Sequence, residues 1–143
     1  MEGEYYIDTC IWINLLEKEG DSTKGTPYWK IAEDFIEQVG DREEKIIVST
    51  IVLKELYFNA GDKFNQIKRF FKESEYIDLV KTIPEDYEQA RKWEQEDKTL
   101  GFYDYLHVAI AKRLNVPLIT RDEELIEFAK SHVKVFKPEE LIS

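Results

Sequence analysis

The sequence predicts an α/β fold built on a central parallel sheet, and two observations carry that expectation. Five short apolar runs, at 4–8, 46–49, 77–80, 116–120 and 133–136, alternate with longer segments of helical period. That is the pattern of strands joined by crossover helices. Runs such as "KIIVS" and "VPLIT" are apolar without alternation, as expected of strands covered by helices on both faces. With 143 residues, 43% of them hydrophobic, there is material for one core and so for one domain, 1–143.

The first strand, "EYYI", leads into Asp8, and a helix is expected over 10–17. "EKEGDSTKG" then reads as the one evident flexible loop. Thr26 before Pro27 predicts a cap followed by proline at the first helical position, with Trp29, Ala32, Phe35, Ile36 and Val39 on one side and Gly40 ending the helix. The second strand is followed by helices over 50–59 and 62–72. Thr82 and Glu85 have capping-box spacing, and Ile83, Tyr87, Ala90 and Trp93 form the stripe behind them. After Gly101 comes a helix over 102–114. Thr120 and Glu123 repeat the capping-box spacing ahead of Leu125, Ile126 and Ala129. There is no internal repeat, low-complexity tract or interdomain linker.

Composition narrows the function. No apolar stretch approaches the roughly 20 residues of a membrane span, and the N-terminus has no basic region followed by an apolar run. A soluble, cytoplasmic protein without a membrane partner is expected. A lone cysteine, Cys10, excludes an internal disulfide and zinc sites that need two thiolates. Lys and Arg number 20 against 30 Asp and Glu, a formal net charge of -10. A broad basic face for nucleic acid is therefore excluded, and any such contact must be local.

Four acids stand out. In an open parallel sheet the ligand crevice lies outside the carboxyl ends of the strands. Asp8 ends the first strand, Asp122 follows "VPLIT", and Asp104 begins the helix after Gly101. Glu55 sits about one and a half turns into its helix, among the same-face neighbours Ile51, Val52, Phe58 and Asn59. An ionised carboxylate on so apolar a face needs a partner, and no Lys or Arg lies three or four residues away. A distant arginine is one source.

Each acid has a structural reading as well. Asp104 and Asp122 suit the first turn of a helix, and Asp8 suits a cap. Together, however, converging carboxylates repel unless a cation holds them, and carboxylate oxygens are what Mg2+ and Mn2+ prefer. Metal-assisted hydrolysis of a nucleic-acid backbone is the chemistry that follows.

In the order "YIDTCIWI", "STIVLKEL" and "DYLHVAIAKRLNVPLITRDEEL", the chain resembles PIN domains, especially the VapC-like toxin ribonucleases of toxin-antitoxin systems. The resemblance spans nearly the whole chain and is most specific in its C-terminal block. It implies a three-layer α/β/α sandwich and an Mg2+- or Mn2+-dependent ribonuclease. Asp8, Glu55, Asp104 and Asp122 match the family's four acids as catalytic and metal-binding residues. Thr120 matches the hydroxyl residue beside the last acid. Thr9 and Asn14 are further candidates behind the ligands, and Glu124 is a candidate outer acid where many relatives carry an acid and an aromatic. The family also implies an RNA substrate, a homodimer and an antitoxin protein. Arg121 and Lys98 are candidate phosphate contacts. His107 and Cys10 read as packed residues, and Tyr57, Phe58, Phe64, Phe70 and Phe71 as core or as a partner face.

Other readings compete. A haloacid-dehalogenase-type phosphatase would need a second Asp two residues after Asp8, where Cys10 stands. A receiver domain would need paired acids in its first loop and a late-strand Lys, which "YYIDT" and "LIT" do not supply. A catalytically inactive PIN-like scaffold would have no need of all four acids. An RNA-processing nuclease outside a toxin system would keep them.

Overall fold

The computed structural model describes residues 3–18 and 21–143. In chain order the elements are β1 (Glu4–Ile7), α1 (Thr9–Glu17), β2 (Ser22–Thr23), β3 (Thr26–Pro27), α2 (Tyr28–Asp41), β4 (Lys45–Ser49) and α3 (Thr50–Ala60). A 3-10 turn (Gly61–Lys63) precedes α4 (Phe64–Glu73) and β5 (Ile77–Val80). Then come α5 (Pro84–Asp97), α6 (Phe102–Leu114), β6 (Leu118–Ile119), α7 (Glu123–Ala129), β7 (Val135–Phe136) and a last 3-10 turn (Pro138–Glu140).

β1 is the centre of a five-stranded parallel sheet in the order β5-β4-β1-β6-β7. Tyr6 lies opposite Ile47 on one side and Leu118 on the other. The chain builds outward through β4 and β5, then returns to lay β6 and β7 on the other side. The order reverses at β1, and a reversal opens a crevice beyond the strand ends because the crossover helices leave in opposite directions. Helices flank the sheet, completing the three-layer α/β/α arrangement expected from the sequence. Tyr6, Ile7, Ile46, Val48, Leu118 and Ile119 are fully buried, which explains why these strands do not alternate. Trp12 meets Phe71 edge-on at 4.7 Å, fastening α1 to α4.

Several boundaries differ from expectation for local reasons. Thr26 and Pro27 form β3, and α2 begins at Tyr28 with Pro27 as its cap residue. Lys24 and Gly25 both have positive φ, 51° and 82°, and join β2 to β3 through a two-residue hairpin turn of the kind that matches strand twist. Part of "EKEGDSTKG" is thus a hairpin; its Glu19 and Gly20 lie outside the described residues. Gly40 does not stop α2, which continues to Asp41. The Tyr76 ring lies 3.2 Å from where a Gly40 Cβ would be, so the glycine admits that ring. The cap of α5 is Ile83, not Thr82: its N–H donates to the Asp86 carboxylate at 3.0 Å, while Thr82 meets Thr50, hydroxyl to hydroxyl, at 2.9 Å. α4 starts at Phe64 after the 3-10 turn. The last two strands shrink to two residues each.

Candidate active site

The end of β1 is pinned to β6: the Asp8 amide donates to the Ile119 carbonyl at 2.9 Å. The next residues of both strands therefore meet. Asp8 Oδ1 accepts from the Thr9 amide at 2.8 Å, and Oδ2 accepts from Thr120 Oγ1 at 2.8 Å. Thr120 Oγ1 in turn accepts from the Asp122 amide at 3.2 Å. Thr120 thus ties Asp8 to the turn that carries Asp122, instead of starting a capping box with Glu123. The cap of α7 is Asp122 itself, whose Oδ1 accepts from the amides of Glu124 and Leu125 at 3.0 and 3.3 Å.

The partner that Glu55 requires is a histidine, not an arginine. Glu55 Oε1 accepts from Thr9 Oγ1 at 2.8 Å and lies 2.6 Å from His107 Nε2. His107 is fully buried on α6, and the same Nε2 lies 3.5 Å from Asp8 Oδ1. Its other nitrogen, Nδ1, lies 2.6 Å from the Tyr6 hydroxyl, which lies 2.6 Å from Ser49 Oγ. Ser49 Oγ accepts from the Val52 amide at 3.3 Å, capping α3. With the ring protonated, both nitrogens donate and Tyr6 donates onward to Ser49, so His107, Tyr6 and Ser49 each have a hydrogen-bond partner in the core. His107, read from sequence as a packed residue, therefore also braces the site. Its signal in the sequence was its place three residues after Asp104, one turn along the same helix face.

Charge explains the pairings. Burial pushes His107 down, but the Glu55 bond and the charges of Asp8, Glu55 and Asp104 outweigh it, and its pKa is raised from 6.5. Burial pushes Glu55 up, yet the His107 bond, the His107 charge and the Thr9 bond bring it below the usual carboxylate range. Asp104 has no such partner. Burial, then Asp8 and Asp122, push it up to about 6 against His107 and the Gly101 amide. Its Oδ2 accepts from that amide at 3.3 Å, closing the start of α6. Glu55, Gly101, Phe102, Tyr103 and Asp104 line one cavity of about 540 Å³.

The structure thus links Asp8, Glu55, Asp104 and Asp122 through hydrogen bonds, His107 and mutual charge. Among the described residues, no three acidic, histidine or cysteine side chains form a ready-made ion cage. The donor set is nevertheless all carboxylate at its accessible face, which suits hard divalent cations. Asp104 is raised first by its burial and then by the like charges of Asp8 and Asp122. Asn14 is half-buried on α1. Glu124 is exposed on α7, and among the described residues no hydrogen bond joins its carboxylate to the other acids. Arg121 is committed elsewhere: it is bidentate to Glu139 at 2.9 and 2.7 Å and lies 3.8 Å over the Tyr28 ring.

The PIN domain family model matches residues 5–131. No curated protein matches. Among solved structures, the chain is similar to VapBC2 from Rickettsia felis bound to a promoter DNA fragment, with a TM-score of 0.67 and 19% identity over 94% of this chain and 98% of that one. A toxin-antitoxin complex from Klebsiella pneumoniae gives 0.66 and 22% over 94% and 97%. Mycobacterium tuberculosis VapC20, a Sarcin-Ricin loop cleaving toxin, gives 0.65 and 18% over 92% and 98%.

Proposed function

The chain belongs to the PIN domain family, and on that footing we propose that it is an endoribonuclease dependent on Mg2+ or Mn2+ and the toxin of a toxin-antitoxin pair. One observation supports the reading: Thr120 ties Asp8 at the end of β1 to the turn that carries Asp122, Glu55 and Asp104 line one cavity, and burial, then like charge, pushes Asp104 up to about 6. A purely structural cap does not call for that.

Asp8, Glu55 and Asp104 would hold a divalent cation, with Asp122 closing the site or serving a second one. When bound, such an ion supplies Lewis-acid polarisation of the phosphate and lowers the pKa of a bound water. The chain's residues supply orientation. Thr120 and the Thr9 amide fix the two oxygens of Asp8. Thr9 Oγ1 and His107 fix one oxygen of Glu55. Tyr6 and Ser49 hold the imidazole from behind. The acids are thereby set before RNA arrives, which lowers the cost of organising them in the transition state.

Support for the partner is of the same kind. One similar structure is a toxin-antitoxin complex and another is a toxin, so an antitoxin is the protein partner we assign, beside a homodimer. Tyr57 and Phe58, 62% and 72% exposed on α3, are apolar surface suited to either contact. A cytoplasmic location goes with an RNA target. The test is cleavage of labelled single-stranded RNA and total transfer RNA with Mg2+, Mn2+ or chelator, comparing the unaltered chain with Asp104→Asn. Metal-dependent cutting that vanishes in the variant supports the reading. Equal cutting by both, or none by either on any RNA together with no metal-induced stabilisation, sinks it.

A further inference from the structure

Beside the acids, the same cavity is walled by two aromatic residues that pack on the edge of the core and keep part of their surface open. Phe102 and Tyr103 open α6, are half-buried, and share the cavity wall with Glu55 and Asp104. Their ring centres are 6.3 Å apart. Each ring has a cation at its face: Lys54 of α3 lies 5.4 Å from the centre of Tyr103, and the Arg91 guanidinium of α5 lies 5.8 Å from the centre of Phe102. Tyr87 stacks behind Phe102 at 6.4 Å with the planes 22° apart.

In a chain of net charge -10, Lys30, Lys63, Arg113, Arg121, Lys130 and Lys137 are each held by a carboxylate. Among the described residues Lys54 and Arg91 have no carboxylate within ion-pair distance, and both are exposed. Lys54 is bonded to Tyr103 and Arg91 lies over Phe102, and since no carboxylate neutralises either, both can meet a phosphate beside the acids. Aromatic faces with cations alongside are how proteins hold unpaired nucleotides: a base stacks on the ring and the neighbouring phosphates meet the charges.

We infer that Phe102 and Tyr103, flanked by Lys54 and Arg91, form a landing platform on which a single-stranded RNA stacks an unpaired base next to the acids. The inference rests on the nuclease reading for its substrate and adds where the strand is held. A duplex cannot use the platform, since its bases are already stacked on each other.

The experiment is fluorescence anisotropy with a fluorescein-labelled octauridylate and an abasic strand of equal length. Both are titrated in Mg2+ with the full chain carrying Asp104→Asn, so that the probe stays whole. Removing either ring by Phe102→Leu or Tyr103→Leu should weaken octauridylate binding about 5- to 150-fold, the range of one lost base–aromatic stack. Tyr103→Phe, which keeps the ring, should bind like the parent. The abasic strand should bind the parent weakly and be indifferent to ring removal. Lys54→Gln and Arg91→Gln should each reduce the slope of log Kd against log salt by about 0.7, one phosphate contact apiece. Circular dichroism and melting confirm folding, and the abasic comparison on the parent needs no ring variant. Equal affinity of the parent for the two strands, or ring variants that bind like the parent, overturns the platform and leaves the nuclease reading standing. A parent that binds neither strand also overturns it, and cleavage by the unaltered chain then decides the nuclease reading separately.

Discussion

Asp104 and His107 both lose stabilising free energy as pH rises, for different reasons: burial and like charge oppose ionisation of the one, and carboxylate partners hold the proton on the other. Asp104 moves from its ordinary 3.8 to about 6 on folding, so between those values the folded chain binds more protons than the unfolded one. Its contribution therefore falls as pH rises from about 4 to 6 and stays low above that. In chelator, Asp104→Asn should be more stable than the parent by about 1–2 kcal/mol at pH 8, after allowance for partial hydration, and should match it near pH 4. Urea denaturation at the two pH values measures this, and a less stable variant at pH 8 would remove the repulsion on which the site reading leans. His107 has a raised pKa, so its pairing stabilises fully below about 6.5 and fades as pH climbs through the folded value. His107→Leu leaves Glu55 and Tyr6 without their partner and should cost about 2–4 kcal/mol at pH 6. That gap should narrow at pH 9.

Among the elements, α5 and α6 are locked by a pair that the sequence pattern does not announce. Arg113 donates to both oxygens of Asp86, at 2.8 and 3.0 Å, and also to the Lys81 carbonyl at 3.2 Å. Asp86 is 2% exposed, and the same carboxylate caps α5 through the Ile83 amide. Arg113→Met should therefore destabilise by about 2–3 kcal/mol, since it strands a buried charge. Asp122→Ala should cost only about 1 kcal/mol by removing the cap of α7. The contrast, read in one set of urea melts, separates a buried lock from an exposed cap. If Asp122→Ala instead stabilised the metal-free chain, repulsion at Asp122 would outweigh its capping.

For the molecule as a whole, 30 acids against 20 bases make the chain strain against its own charge. Saturating Mg2+ or Mn2+, at about 100 times its Kd, should stabilise the folded state by about 2.7 kcal/mol. For a domain of this size that raises Tm by several degrees, at about 2–4 °C per kcal/mol. The increase should shrink sharply in Asp104→Asn, and differential scanning fluorimetry with and without chelator reads both. An equal gain in the two proteins would place the ion elsewhere on the acidic surface. Sodium chloride should raise the metal-free Tm modestly, by screening exposed charge.

Periodicity and strand chemistry were enough to determine the sheet, the helix order and the presence of an acid at the end of β1. Those signals are local, set by which side chains must leave water. The four acids could be singled out as candidates because each stands at a strand end, at a helix start, or alone on an apolar face. Caps one residue from their expected place were not legible. At 82–86 a threonine and an acid offer competing geometries, and the choice went to Asp86 because Arg113 waits 27 residues away in the chain. Nor was the partner of Glu55 legible. It lies 52 residues away on α6 and meets Glu55 only because β1 carries Tyr6 and Asp8 between the two helices. Tertiary structure decided which polar groups satisfy one another, because hydrogen bonds inside a core depend on distances that no stretch of sequence contains.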